Sequence, residues 1–430
     1  MKISIQHGRL IDPANGIDTH TDLHIADGVI AGIGDAPDGF IADSLVNASG
    51  QVVCPGLIDL RARLCEPGGE SGASIASETA AAATTGITTL ICPPDADTVT
   101  DTPAVVDLIR HRAKLAGHAR VLSLGALTQG LDGLQLAEMG ALKEAGCVGV
   151  SNGLRAVENT QVMRRAMEYA ASQGLTVFLH AEDPWLAAGG CAHEGLVSVR
   201  LGLKGIPENA ETIAVARELQ LIEQTGVRAH FGLLSSARAV RMIARAQYDG
   251  LPVSADVAAH QLYLTEMDIG FFDTQCHVRP PLRSQADRDG LRQGLCEGTI
   301  GAICSDHRPH GTGAKLAPFP TSEPGISALE TLLPLTLRLA DEGLLSLSQA
   351  IACVTQRPAE ILGLLERGEG GSLSPGARAD ICLFNPETYW ELRAEEMRSA
   401  GRNTPFLGWE LKGRVASTLL AGQLTYFCCD

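Results

Sequence analysis

The sequence predicts an α/β fold, a (β/α)8 barrel of the TIM type with a small flanking β-sandwich built from both chain ends. Two observations carry this reading. From Val52 onward, eight short runs rich in apolar and β-branched residues alternate with longer amphipathic stretches, the alternation that a parallel barrel requires. Before residue 52 and after residue 370 the pattern changes to short alternating segments between turn signals, as antiparallel strands show. A chain of 430 residues, 45% apolar, with 47 glycines, is long enough for one large domain and an attachment.

The expected barrel strands are Val52 to Asp59, Thr88 to Cys92, Ala119 to Leu124, Val148 to Ser151, Thr176 to His180, Arg228 to Phe231, Pro252 to Asp256 and Ala302 to Ser305. Helical periodicity is clearest over Pro103 to Leu115, Asn159 to Gln173, Asn209 to Thr225 and Ser236 to Tyr248. Near the N-terminus, Asp12-Pro-Ala-Asn-Gly16 and Ala26-Asp-Gly28 mark turns. A second β-rich segment begins at Gly371-Ser-Leu-Ser-Pro-Gly376, runs through Ala379 to Phe384 and resumes over Gly413 to Gly422. Neither end makes a comfortable sheet domain alone, so residues 1–51 and 371–430 are expected to pair into one β-sandwich beside a barrel over residues 52–370.

Fifty acidic against 34 basic side chains give a formal charge of −16, which excludes a general basic surface for nucleic acid or an anionic membrane. The N-terminus lacks the apolar core of a signal peptide, and no apolar run is long enough to span a bilayer. The expected compartment is the cytoplasm. Twelve cysteines fall well below the density of a disulfide scaffold, and none has Cys-x-x-Cys spacing. Cys92, Cys147, Cys304 and Cys382 lie in apolar strand-like runs and read as buried thiols, and Cys428-Cys429 as a reduced tail.

A set of landmarks then appears in order: Pro55-Gly-Leu-Ile-Asp59, Glu66-Pro-Gly68, His180-Ala-Glu-Asp-Pro184, His193-Glu-Gly195, Gly202-Leu-Lys-Gly-Ile-Pro207, Pro280-Pro-Leu-Arg283, Asp306-His-Arg-Pro-His310 and Leu329-Glu-Thr-Leu-Leu-Pro334. On these residues the chain resembles the dihydroorotases of the amidohydrolase superfamily over nearly its whole length. The resemblance implies a metal-activated hydroxide, a bridging carboxylate, histidine ligands, an aspartate base and a cationic clamp for the substrate carboxylate.

Position by position, the pattern departs from that plan. The first His-x-His has become Arg61-Ala62-Arg63. Imidazole offers a metal a neutral lone pair, whereas guanidinium is always protonated and has no acceptor. The substrate-gripping arginine two residues on is Cys65, and a thiol cannot make its bidentate contact. The family's substrate-contacting Asn aligns with Asp95, which would repel an anion. The bridging anion falls on Asn152 or Gly153, the second ligand histidine on Leu233, the paired histidines on His260-Gln261, and the Asn of Asn-Pro-Pro-Leu-Arg on Arg279. His180 and Asp306 survive, and packing and hydrogen bonding explain their retention more simply than residual metal binding does. His307 and His310 read as shaping the loop after the last strand, and Glu66-Pro-Gly68 as turn geometry.

Residues i and i+2 share one face of a strand, so Arg61 and Arg63 should both point inward. Buried guanidiniums need anionic partners. Asp306 is the first candidate, then Glu66 and Asp59, in an arrangement where arginine takes the place of zinc. The resemblance implies a non-catalytic dihydroorotase-like chain without metal or cofactor, a companion of the aspartate carbamoyltransferase catalytic chain in pyrimidine biosynthesis and a homo-oligomer within a hetero-oligomer. The residues themselves speak only to the lost ligands. Two other classes remain: a cyclic amidohydrolase with a metal-poor site, and a small-anion sensor using Arg61, Arg63 and Arg279.

Overall fold

The computed structural model describes residues 1–70 and 72–428, so Cys429 lies outside the described residues. At its centre is an eight-stranded sheet whose strands neighbour one another in chain order: Leu57–Asp59, Ile87–Cys92, Arg120–Ala126, Gly149–Ser151, Val177–Leu179, Ala229–Phe231, Val253–Ala258 and Ala302–Cys304. All seven ladders between them are parallel. The first and last strands meet just past their ends, through a parallel bridge between Ala62 and His307 and the Arg63 N–H donated to the His307 carbonyl at 2.9 Å. The barrel is therefore nearly closed, and its seam lies beside Arg61, Arg63 and Asp306.

The expected helices form with their capping chemistry. Asn159 caps Thr160–Gln173, its side chain accepting from the Gln161 and Val162 amides. Ser236 caps Ala237–Tyr248 in the same manner. Asn209–Thr225 ends at Gly226, whose φ of +65° is the left-handed turn that glycine takes without penalty.

One expected strand divides. Val52 to Asp59 breaks at Gly56 into Val52–Pro55, which pairs antiparallel with Ile381–Glu391, and Leu57–Asp59, which opens the barrel. A Cβ at Gly56 would come within 2.3 Å of the Thr88 side chain, so only glycine lets the chain cross from one sheet to the other there.

Both chain ends contribute to the flanking sheets. One has four strands, Lys2–Gln6, Leu23–Ala26, Val29–Ile33 and Ser44–Asn47. The other has six, Arg9–Asp12, Ile17–His20, Val52–Pro55, Ile381–Glu391, Glu410–Leu420 and Gln423–Phe427. Ile3, Leu10, Ile25, Val53, Ile381 and Leu419 form one buried cluster across them. Burying such a side chain contributes about 1.5–3 kcal/mol, enough to fasten the C-terminal strands to the N-terminal ones. Cys92, Cys147, Cys304 and Cys382 are buried free thiols. No helix among the described residues is long and apolar enough to cross a membrane.

Candidate functional site

Catalytic groups on such barrels gather at the C-terminal ends of the strands. Here that end holds two arginines and two aspartates brought from three neighbouring strand ends. Arg61 and Arg63 follow the first strand, Asp95 the second and Asp306 the last. Arg61 Nε lies 3.2 Å from Asp306 Oδ1, and Arg63 Nη1 lies 3.3 Å from the same oxygen. Arg63 Nη2 donates to Asp95 Oδ2 at 2.7 Å, and Arg61 Nη2 stands 3.9 Å from that oxygen. The four side chains are 7–13% exposed, so the cluster is largely dry and its formal charges cancel. Burial opposes ionisation of Asp95, but Arg63 and Arg61 outweigh it and hold the carboxyl below its ordinary range. Arg63 is likewise opposed by burial and raised on balance by Asp95 and Asp306.

Both arginines thus turn inward and share Asp306. The other two expected partners do different work. Glu66 pairs with Arg112 and accepts from the Ile75 amide, starting the first barrel helix. Asp59 accepts from the Ser305 amide at 2.9 Å and from the Ser305 hydroxyl, tying the first strand to the last. Burial pushes Asp59 up to about 6 in spite of those donors. The partner that the sequence reading missed is Asp95, which neutralises Arg63 instead of standing as a free repulsive charge.

Among the described residues His180 has no hydrogen-bond partner on either ring nitrogen, and burial together with Arg61, Arg279 and Arg63 holds it well below its usual pKa. It is therefore neutral at pH 7. His260 is 2% exposed, lacks a partner at Nδ1, and is pushed down by burial to about 4. Leu233 packs in the barrel-centre cluster with Ile58, Leu60, Ile91, Leu124 and Phe178. Asn152 accepts from the Thr128 hydroxyl at 2.8 Å and donates to the Leu131 and Arg155 carbonyls. Gly153 has φ +64°, and a Cβ there would stand 2.7 Å from Asp95, so this glycine makes room for the carboxylate.

These residues do not fit a divalent cation. The oxygen of Asp306 that faces the site is already shared by two guanidiniums, and those positive charges repel a metal. Among the described residues no group of three or more His, Cys, Asp or Glu side chains is placed to hold one. The anion pocket expected from Arg61, Arg63 and Arg279 does not form either. Arg279 Nε donates to Glu182 at 2.9 Å, so all three guanidiniums are already paired with carboxylates.

Beside the cluster is a cavity of about 740 Å³, lined by Arg63, Cys65, Asp95, Arg155, Arg308 and Glu323 among others. The Cys65 thiol is pushed up to about 11 by burial and is not a nucleophile at neutral pH. Arg308 was not singled out from the sequence. Its guanidinium has no carboxylate within ion-pair distance and no hydrogen-bond partner among the described residues, and burial and the neighbouring Arg63 lower its pKa against the pull of Asp306, Asp95 and Glu323. The signal was its place between Asp306 and Pro309, inside a landmark read only for its aspartate and histidines. His307 and His310 do shape the loop: His307 Nε2 meets Glu78 at 2.8 Å while its Nδ1 accepts from Ala328, and His310 bonds the Pro324 carbonyl at 3.0 Å.

Residues 50–239 match the family profile described as Dihydro-orotase-like, and residues 324–426 one described as Amidohydrolase family. A protein of Pseudomonas putida named dihydroorotase-like protein is 49% identical over 99% of both chains. The chain belongs to the dihydroorotase-like family. A protein of the same name in Pseudomonas aeruginosa is 48% identical over 99% of this chain and 100% of its own. A dihydroorotase of Syntrophotalea carbinolica is 44% identical over the full length of both. Among solved structures, the L-hydantoinase of Arthrobacter aurescens superposes with a TM-score of 0.87 at 23% identity, covering 98% of this chain and 95% of its own. That likeness confirms the fold of this dihydroorotase-like chain: the barrel and its flanking sheets.

Proposed function

We propose that this dihydroorotase-like chain is a non-catalytic member of its family that supports the assembly and activity of aspartate carbamoyltransferase in pyrimidine biosynthesis. The observation that carries the first half is the ion-pair cluster of Arg61, Arg63, Asp95 and Asp306, in which two guanidiniums occupy the strand ends and take up the carboxylates where a hydrolase of this kind needs a cation and its water. Buried arginines paired in this way hold the carboxylates together without a metal, and no hydroxide is generated. The partner follows from the resemblance to companion chains of the transferase. The test is reconstitution of the transferase catalytic chain with and without this protein, reading activity and sedimentation, alongside an assay of dihydroorotate hydrolysis with added zinc or manganese. Metal-dependent turnover abolished by His180→Ala would replace this reading with that of an altered cyclic amidohydrolase.

A second reading has one observation in its favour: Arg308 lines the 740 Å³ cavity with no carboxylate within ion-pair distance among the described residues, Asp306, Asp95 and Glu323 acting on it only from farther away. A guanidinium of this kind suits a carboxylate or phosphate. Calorimetry with orotate, carbamoyl phosphate and nucleotides tests it, and an unchanged titration in Arg308→Gln removes it.

A further inference from the structure

Two segments on the C-terminal face of the barrel expose apolar side chains that the fold does not use. One lies after the fifth strand, where helices Pro184–Ala187 and Leu196–Leu201 flank the small parallel ladder of Ala192–His193 with Gly205–Ile206. The other follows the seventh strand and includes the short helix Glu266–Ile269. The two are adjacent: the Glu266 carboxylate stands 3.2 Å from where a Cβ on Gly195 would be. From the first segment Trp185, Leu196 and Val199 are 76%, 89% and 78% exposed, and from the second Met267, Phe271 and Phe272 are 60%, 100% and 45% exposed. Phe272 also has φ +65°, a conformation that bulky side chains rarely adopt, so the tip holds two phenylalanines outward at a backbone cost. Single exposed hydrophobes are ordinary, but neighbouring ones of this size mark an interaction surface.

The charges around the patch say what covers it. Within residues 183–208 and 266–273 the carboxylates are Asp183, Glu194, Glu208, Glu266, Asp268 and Asp273, and the cations are Arg200 and Lys204. A two-fold contact between copies of this chain would set the same acidic surface against itself, and the chain as a whole carries −16. The fitting occupant is a different chain with an apolar face bordered by lysine and arginine, since complementary potentials favour encounter and register. We infer that this surface, on the segments after the fifth and seventh strands, is where the protein docks its partner chain. The inference rests on the companion reading and adds the place of contact.

The test uses the full-length protein and the transferase catalytic chain as the probe, with binding measured by calorimetry and sedimentation. Leu196→Asp and Phe271→Asp alter exposed side chains and should leave the thermal unfolding of the chain alone unchanged. Each is expected to weaken the complex at least about tenfold, as loss of an apolar anchor does. Leu115→Asp, on an exposed site of another helix, should change affinity less than about twofold. If the unsubstituted chain binds and both patch variants bind equally well, the location is wrong and the companion reading stands. If the unsubstituted chain does not bind the transferase, the companion reading fails and this inference with it. A self-associated chain that Leu196→Asp dissociates would assign the patch to a second copy and overturn the proposed occupant.

Discussion

Arg63 donates to Asp95 across 2.7 Å, joining the loop after the first barrel strand to the loop after the second, while its other terminal nitrogen reaches Asp306 at 3.3 Å. One guanidinium therefore ties three strand ends at the seam where the barrel ladder is incomplete. Its strength lies in geometry and burial: the same contacts on an exposed surface contribute about 0–1 kcal/mol, whereas removing one partner of a buried pair costs about 3–5 kcal/mol.

Asp95→Asn should accordingly destabilise the protein by about 3–5 kcal/mol at pH 7, with a pH dependence of definite sign. The folded-state pKa of Asp95 is depressed, so its contribution is present above the unfolded value of about 3.9 and is lost as pH falls through the folded one. The difference in calorimetric Tm between the two proteins should be constant above about pH 5 and shrink as pH drops below about 4. Asp59 supplies the opposite slope. Burial raises it to about 6, so its contribution is full below about pH 4 and lost as pH rises through 6. A Tm difference for Asp95→Asn that grows on acidification would mean that Arg63 does not hold this carboxylate.

The periodic parts of the fold are legible in the sequence. Apolar runs located every barrel strand within a few residues, and helical periodicity located the helix Asn209–Thr225 with its bounds. The fault at Gly56 was not legible, because an apolar run reads the same whether it pairs with one sheet or two, and the steric demand comes from Thr88. The site divided similarly. That Arg61 and Arg63 share a face and meet Asp306 followed from strand alternation and charge. That Asp95 completes the pair did not, since its sign was weighed against a substrate instead of against arginines on the neighbouring strand. Arg279 was offered to an anion pocket as one alternative, and its pairing with Glu182 gave no signal because that residue is 97 residues away in the chain.

Glu78 is the acidic residue that the sequence reading passed over and the structure makes central. It is fully buried; burial raises its pKa, but His307 outweighs that and, with Ser399 and the Ala400 amide, brings it to about 2. It thereby clamps the first barrel helix to the loop after the last strand and to residues 399–400. Glu78→Ala leaves those donors unsatisfied and should cost about 3–5 kcal/mol in denaturant unfolding. Glu78→Gln, which keeps one acceptor, should cost less. Equal losses in the two variants would show that shape, not hydrogen bonding, sets the effect.

Restoring histidine at the two arginine positions should not restore a metal site. In the double variant Arg61→His, Arg63→His, the carboxylates of Asp95 and Asp306 lose their cations, while Leu233 still packs in the barrel centre and Cys65 cannot clamp a carboxylate. The expected outcome is a lower Tm, no stoichiometric zinc by elemental analysis after dialysis, and no turnover of dihydroorotate in either direction. Retention of about one zinc per chain would show that His180, Asp306 and the new imidazoles suffice.

The last prediction separates a structural role from a chemical one at a single residue. His180 makes no hydrogen bond on either nitrogen among the described residues and is held neutral by burial and by the arginines around it, so His180→Ala removes none of the polar contacts described. It should be tolerated far better than Asp306→Ala, which strips both guanidiniums of a shared partner and confounds loss of function with loss of fold. Under the companion reading, a transferase complex containing His180→Ala retains its carbamoyltransferase activity within about twofold, because neutral truncations away from an interface change little. Omitting this chain altogether lowers transferase activity and sedimentation size. Transferase that assembles and works identically without the chain would remove the companion role and leave the Arg308 cavity as the function to pursue.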